Sequence, residues 1–245
     1  IRRLNEGLER QNTELQAVNN ELEAFSYSVS HDLRAPLRAI DGFSKILQGS
    51  LEGSLSERDS DYFNRIRKAA QNMSKLIDDL LTLARVTRAD VKLASLNLSR
   101  LATTVAERLM ENQPERDITL QIEPDIKVLA DPALLQVAIE NLLGNAFKFT
   151  TTQDKALIEV GSMIKDGETV VFVRDNGVGF DMNYADKLFI PFQRLHSASE
   201  FPGTGVGLAS IKRVMSKLGG RIWAESSVGQ GATFYLQFAR IGAEQ

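Results

Sequence analysis

The chain contains no cysteine, which excludes disulfide bonds, thiol nucleophiles and cysteine-based metal sites and suits the cytoplasm, where we expect it to act. It has no apolar run near the roughly 20 residues of a membrane-spanning helix, and no signal peptide is visible. The net charge of −3 argues against a nucleic-acid-binding protein that depends on phosphate contacts. What is present is a chain of 245 residues, 43% hydrophobic and 25% charged, enough for one large or two ordinary globular domains.

Apolar side chains recur at helical spacing through residues 1–50 and predict one long helix. We predict a coiled-coil signalling helix over 1–25 that pairs as a parallel homodimer; a single amphipathic helix packed on its own domain is the alternative. Because the heptad pattern is already running at Ile1, we expect a sensor or a membrane span upstream. The a positions are Ile1, Leu8, Leu15, Leu22 and Val29, and the d positions are Leu4, Gln11, Val18 and Phe25.

A turn over 49–54 separates this helix from a second amphipathic helix over 57–87. Two long helices joined by a short loop form a four-helix bundle when two chains pair. In the extended heptad register His31 falls at position c, away from the seam, where a second domain could reach it. Since Pro36 lacks the N–H that would bond the Asp32 carbonyl, we expect a bend there.

Beyond a linker at 89–97, helical and strand patterns alternate and predict a second domain over 98–240. Asp131 followed by Pro132 is a favourable helix start, and Asp166-Gly167 between two apolar runs predicts a β-hairpin. We predict helices at 99–112 (with Ser99 as N-cap), 132–149 and 205–218, and strands at 118–122, 156–164, 169–174, 221–226 and 232–238.

Three polar residues share one face of the predicted helix 132–149. Asn141, Asn145 and Lys148 stand at i, i+4 and i+7, a spacing that places them on the same side. Amide oxygens can ligate a hard cation such as Mg²⁺, and a lysine can meet a phosphate. An ordinary solvent-exposed face is the alternative.

Two glycine-rich turns follow in the same domain. The first, Asp175 with Gly177 and Gly179, ends a predicted strand, and its carboxylate could accept a hydrogen bond from an adenine amino group. The second opens onto a helix, where successive N–H groups favour anions; it comprises Gly203, Thr204, Gly205, Val206, Gly207 and Leu208. Each could also be a plain turn, and neither pattern fits a Rossmann or a P-loop site.

These segments, in this order, resemble those of the sensor histidine kinases. Residues 26–88 are similar to the dimerisation and phosphoacceptor domain. Residues 98–240 resemble the ATP-binding α/β sandwich of the gyrase, heat-shock chaperone and mismatch-repair ATPase superfamily. The matching segments are a histidine box (30–37), an asparagine box (141–150), two glycine boxes (175–180 and 203–208) and a phenylalanine box (189–194). Residues 34–43 are similar to those of phytochrome-like and PAS-linked kinases.

The resemblance implies a fold of class α + α/β and an ATP-dependent kinase. His31 would take the γ-phosphate, with Asp32 orienting or deprotonating its ring, and a response-regulator aspartate would then receive the phosphoryl group. Asn145, with Asn141 beside it, would hold Mg²⁺, and residues 181–202 would form a mobile ATP lid. The implied ATP contacts are Asn141, Asn145, Lys148, Phe149, Asp175, Gly177, Gly179, the six residues 203–208 and Thr233. His196, the only other histidine, is interpreted as a lid residue.

Two questions stay open in the sequence. Many relatives that also dephosphorylate their partner carry Thr or Asn four residues after the histidine, where this chain has Ala35, so we predict weak phosphatase activity. The competing functions are a plain ATPase of the same superfamily, which would turn over ATP without a phosphoprotein, and a non-catalytic dimeric relay that would not bind ATP.

Overall fold

The computed structural model describes residues 29–30, 32–51, 54–88, 90–165, 167–197 and 200–238. The chain divides into two compact units, residues 1–85 and 86–245. The predicted coiled coil over 1–25 and the histidine His31 lie outside the described residues. None of the described helices is both long and apolar enough to cross a bilayer.

The first unit is a helical hairpin, as predicted. Helix α1 includes residues 29–30 and 32–50, and helix α2 spans Glu57–Arg88. The buried apolar contacts between them are few, and ion pairs such as Arg34–Asp78 at 2.7 Å flank them. The buried set is Leu37, Ala70, Ile77 and Leu81.

More large apolar side chains remain exposed on the described part of this hairpin than are buried within it. They form an exposed apolar ridge of Val29, Leu33, Ile40, Phe43, Ile46, Leu47, Leu51, Tyr62, Ile66 and Met73. Phe43 alone is 66% exposed. A ridge of this size on one short hairpin is typical of a surface that another protein covers.

The second unit is a mixed α/β layer structure. Its main sheet has the strand order β2-β4-β5-β7-β6, and β1 pairs only with β3 in a small second sheet. The β2–β4 pair is parallel and the other pairs are antiparallel. The strands are β1 Ala94–Asn97, β2 Ile118–Ile122, β3 Lys127–Ala130, β4 Ala156–Lys165, β5 Glu168–Asp175, β6 Arg221–Ser226 and β7 Ala232–Gln237.

Three helices, α3 Leu98–Glu111, α4 Pro132–Phe149 and α5 Gly207–Lys217, share the main hydrophobic core with the sheet. Helix α4 packs against α3, α5 and β5. Its start is fixed as the sequence predicts: an Asp131 carboxylate oxygen accepts hydrogen bonds from the N–H groups of Ala133 and Leu134 at 3.0 and 3.1 Å. Such a cap contributes about 1 kcal/mol, and Pro132 fits the first turn because its missing N–H would have no partner there.

The structure corrects the predicted linker and the first helix cap. Residues 94–97 of the predicted linker form β1, which pairs with the unpredicted strand β3. Helix α3 begins at Leu98, and its N-cap is Asn97, whose side-chain oxygen accepts from the Arg100 N–H at 3.0 Å. Ser99 is instead buried, where its hydroxyl donates to the Glu123 carbonyl and accepts from a backbone N–H.

Candidate functional site

The polar face of α4 borders open space. A Cβ atom built on Gly144 would meet no atom within 4 Å. The Asn141 amide nitrogen donates to the Val137 carbonyl at 2.8 Å, and its Oδ1 would lie 2.5 Å from a Cβ built on Gly207. Asn145 is half-buried. This face therefore presents the Asn141 amide oxygen beside the first residue of α5.

The last turn of α4 is joined to the first glycine turn, residues 175–179. The Val178 N–H donates to the Phe149 carbonyl at 3.2 Å. A Cβ atom on Gly177 would lie 2.5 Å from that same carbonyl oxygen, so glycine is required for this close approach. Lys148 also belongs to the last turn of α4, and its Nζ lies 4.1 Å from the centroid of the Phe149 ring.

The segment 226–231 closes the other side of the first glycine turn. The Gly229 N–H donates to the Val178 carbonyl at 2.7 Å. A Cβ atom on Gly179 would lie 2.1 Å from the Ser227 carbonyl oxygen, and one on Gly231 would lie 1.9 Å from the Asp175 carbonyl oxygen. The turn is thus held by backbone contacts on both sides.

Asp175 is a buried carboxylate, only 5% exposed. The loss of hydration raises its pKa to about 6, although the N–H groups of Gly177 and Ala232 favour the charged form. The Gly177 bond to Oδ1 measures 2.9 Å. A buried carboxylate with a strongly raised pKa is often part of a functional site. The next residue, Asn176, is structural, because its amide bonds the backbone of Leu157 and Lys155.

The second glycine turn lies against the far side of the same face. A Cβ atom on Gly203 would lie 3.3 Å from Lys148 Nζ. Gly205 adopts φ +76° and accepts a hydrogen bond from the Phe192 N–H at 3.0 Å. Helix α5 follows, and its N-cap residue Val206 gives no side-chain cap. Val206 therefore does not occupy the first N–H groups of this helix, and such an N-terminus favours an anion.

Residues of the predicted lid contact the site directly. A 3₁₀ helix covers Met182–Lys187. Further along, the Arg194 guanidinium donates to the carbonyls of Gly203 and Phe201 at 2.6 and 2.5 Å. The His196 ring packs against the rings of Phe149 and Phe201, with centroids 5.4 Å from each. Sequence reasoning placed His196 in the lid, but no signal indicated these contacts or singled out Phe201.

The structure therefore brings most of the predicted ATP contacts together, with one correction. Thr233 faces the other side of the sheet, because it is the register partner of Arg174, whereas Asp175 pairs with Ala232. Its hydroxyl accepts from Arg174 Nε at 3.3 Å. Asp32 is an exposed residue of α1, in the other unit.

The residues present fit a nucleotide with its cation. Among the described residues no three His, Cys, Asp or Glu side chains cluster as a metal site. Amide oxygens such as that of Asn141, together with the phosphates of a ligand, are oxygen donors of the kind that a hard cation such as Mg²⁺ takes.

Comparisons with known proteins agree with this geometry. The family of histidine kinase-, DNA gyrase B- and HSP90-like ATPases matches residues 130–241, and the His Kinase A (phospho-acceptor) domain matches residues 21–89. Cyanobacterial phytochrome A of Nostoc sp. is 31% identical over 95% of this chain and 30% of its own length. The methanogenesis regulatory histidine kinase FilI of Methanothrix harundinacea is 36% identical over 89% of this chain and 24% of its own.

A solved structure is similar over both units. Full-length ShkA, crystallised with AMPPNP, is 26% identical and superposes with a TM-score of 0.64 over 88% of this chain and 45% of its own. The chain spans less than a third of the length of the two relatives above. With a phospho-acceptor domain followed by an ATPase domain, it belongs to the histidine kinases.

Proposed function

We propose that the chain transfers the γ-phosphoryl group of ATP to His31 and then to an aspartate of a response-regulator receiver. The observation that carries this proposal is the close approach of two glycine turns to α4, C-terminal to a matched phospho-acceptor domain on the same chain. In the first step the bond from the γ-phosphorus to the bridging oxygen breaks and a phosphorus–nitrogen bond to His31 forms. ADP keeps the bridging oxygen, and the imidazole proton leaves to Asp32 or to water.

The nucleotide would bind along the polar face of α4. The ionised Asp175 carboxylate would accept a hydrogen bond from the adenine amino group, and the Phe149 ring would stack on the base. Lys148 and the N–H groups at the start of α5 would neutralise the phosphates. Catalysis would consist mainly of positioning and charge stabilisation, as in other phosphoryl transfers.

Magnesium would be held by Asn145, with Asn141 beside it, and by the phosphates. When bound, it would neutralise charge that develops on the transferred phosphoryl group. The hydrogen bond from the Asn141 amide nitrogen to Val137 fixes that side chain. Its oxygen is therefore directed away from its own helix backbone.

The exposed apolar ridge supports a homodimer of the hairpin. Phospho-acceptor domains of this family are dimerisation modules, and burying such a ridge would contribute roughly 25 cal/mol per Å² of apolar surface. We extend the pairing to a parallel coiled coil over 1–25. An upstream sensor would act through this helix, and the two domains would work in the cytoplasm.

The direct test is incubation of the chain with γ-labelled ATP and Mg²⁺, followed by acid and alkali treatment. Wild type, His31→Gln and His196→Gln would be compared, since these two histidines are the only ones in the chain. At an ATP concentration that saturates each variant, we expect label that acid removes and alkali leaves in the wild type and His196→Gln but not in His31→Gln.

Two results would contradict the proposal. Label that persists in His31→Gln would show that another residue accepts the phosphoryl group. Rapid release of phosphate with no labelled protein would favour a plain ATPase.

A further inference from the structure

Arg116 lies in the loop between α3 and β2, outside the stretch matched by the ATPase family. Its guanidinium reaches the far end of α4, which is more than 30 residues away in sequence. One terminal nitrogen donates to the Phe147 carbonyl at 2.9 Å, and the other donates to the Thr150 carbonyl at 2.8 Å and to the Thr150 hydroxyl at 3.0 Å. A single planar group thus holds the two ends of the last turn of α4.

The carbonyls between those two points are also bonded. Those of the last helical turn have no partner within a helix, yet the Lys148 carbonyl accepts from Thr151. The Phe149 carbonyl accepts from the Val178 N–H of the first glycine turn. Arg116 and Val178 therefore hold the same turn from opposite sides.

Arg116 is half-buried, and its acceptor residue Thr150 is fully shielded from water. The loss of hydration lowers the pKa of the Arg116 guanidinium. Hydrogen bonds donated by a charged group in such surroundings are stronger than those between neutral groups. The fork geometry of arginine also matches two separated acceptors in a way that lysine cannot.

We propose that Arg116 is a positioning residue for nucleotide binding. It acts through the last turn of α4. Arg116 bonds to Phe147 and Thr150 of this turn, and the same turn carries Lys148 and Phe149. This inference rests on the proposed binding of ATP to that turn. Loss of the guanidinium would free the turn to shift, displacing the Phe149 ring and weakening its bond to Val178.

Arg108 offers a matched control. It reaches from α3 to α4, where it pairs with Glu140 at 2.8 Å, but the pair is largely exposed and lies in the middle of α4. Arg108→Met removes a guanidinium that bonds to α4 without touching the last turn of that helix. Exposed ion pairs of this kind contribute little to stability.

The experiment measures the dissociation constant of ATP with Mg²⁺ by calorimetry, on the full 245-residue chain, at a temperature where each variant is folded by circular dichroism. We expect Arg116→Met to raise the constant about tenfold and Arg116→Lys to raise it less, because one ammonium replaces only part of the fork. Arg108→Met should remain within about twofold of the wild type. Hydrogen exchange at the Val178 amide should be faster in Arg116→Met.

Unchanged ATP affinity in a folded Arg116→Met would overturn the proposal, whatever its melting temperature. If that variant does not fold, Arg116→Lys and Thr150→Val, which removes one acceptor, carry the same test, and unchanged affinity in both overturns it. A wild type that does not bind ATP would contradict the proposed function. In that case hydrogen exchange at the Val178 amide tests the role of Arg116 by itself. Unaltered exchange in the Arg116 variants would refute the action of Arg116 on this turn.

Discussion

The Nε2 atom of His196 lies 2.9 Å from the carbonyl oxygen of Gly179. This contact joins the predicted lid to the first glycine turn. The same imidazole packs against Phe149, at the end of α4. One lid side chain therefore contacts both segments that we propose to hold the adenine.

Two substitutions of His196 should distinguish the contributions of its two contacts to ATP affinity. His196→Phe keeps a ring beside Phe149 but loses the bond to Gly179, whereas His196→Ala loses both. We expect the dissociation constant of ATP to rise about fivefold in the first, the effect of one net hydrogen bond. In the second it should rise further, by about tenfold or more in total, because an aromatic contact is also lost. Titration with a fluorescent ATP analogue would measure both, and tighter binding by His196→Ala would instead show that the ring obstructs the base.

Asp175→Asn should abolish ATP binding and yet stabilise the fold at neutral pH. The N–H groups of Gly177 and Ala232 would orient the amide oxygen of the new side chain toward themselves. Its NH₂ group would then face the adenine amino group, so that two donors oppose each other. Calorimetry should detect no ATP binding, and thermal unfolding at pH 7 should occur at a higher temperature than in the wild type.

The pH dependence of stability should follow from the same carboxylate. Because burial raises the pKa of Asp175 from 3.8 to about 6, the folded state holds a proton that the unfolded state has released. Its contribution to the free energy of unfolding is complete below about pH 4 and is lost as the pH rises through 6, a change of about 2–3 kcal/mol. Urea unfolding of wild type and Asp175→Asn at a series of pH values measures the difference, which should grow from pH 4 to 7. A constant difference would contradict the buried charge.

Gly205→Ala should disrupt the second glycine turn. Gly205 has φ +76°, and an added Cβ atom would lie 2.8 Å from the Gln193 carbonyl oxygen. Gly219→Ala is the matched control, because its φ is +68° but an added Cβ atom would enter open space. Both should lose about 1 kcal/mol of stability to backbone strain, but only Gly205→Ala should lose autophosphorylation, by more than tenfold. Equal activity in the two variants would argue against a role of this turn in phosphate binding.

Ala35→Thr should raise phosphatase activity. Ala35 is an exposed residue of α1, four positions after His31, and its methyl group cannot orient a water molecule by hydrogen bonding. A threonine hydroxyl there could do so, at a cost in helix propensity of about 0.5 kcal/mol. Loss of phosphate from a phosphorylated receiver domain, with ADP present, would be compared between the two proteins. Rapid loss with the wild type would show that dephosphorylation does not need that hydroxyl.

The fold was predictable where local signals agree. Asp131 and Pro132 mark the start of α4 because cap and proline chemistry act over a few residues. The structure also confirms the predicted β4–β5 hairpin, whose turn signal is equally local. Strand β1 escaped prediction because its four residues have no alternating pattern and are stabilised by β3, about 30 residues further along the chain.

The two glycine turns and the polar face of α4 were visible in the sequence, but the side chains that support them were not. Thr233 was assigned by likeness to the family, yet the two-residue period of a strand places it on the face opposite Asp175. Arg116 carries no sequence signal, because two of its acceptors are backbone carbonyls, which any sequence would provide. His196 contacts Gly179 through the path of the lid loop, which no local pattern specifies.

The close approach of Gly231 to Asp175 also sets the order in which the molecule can become functional during its synthesis. The hairpin that precedes the nucleotide site is translated first, whereas the backbone that closes the first glycine turn comes from the segment just before β7. In a nascent chain the proposed ATP site therefore stays incomplete until residues 226–231 have left the ribosome. A product that terminates before Gly229 would retain the pairing helices but no phosphoryl donor site, and we expect it to act as an inhibitory partner of intact chains.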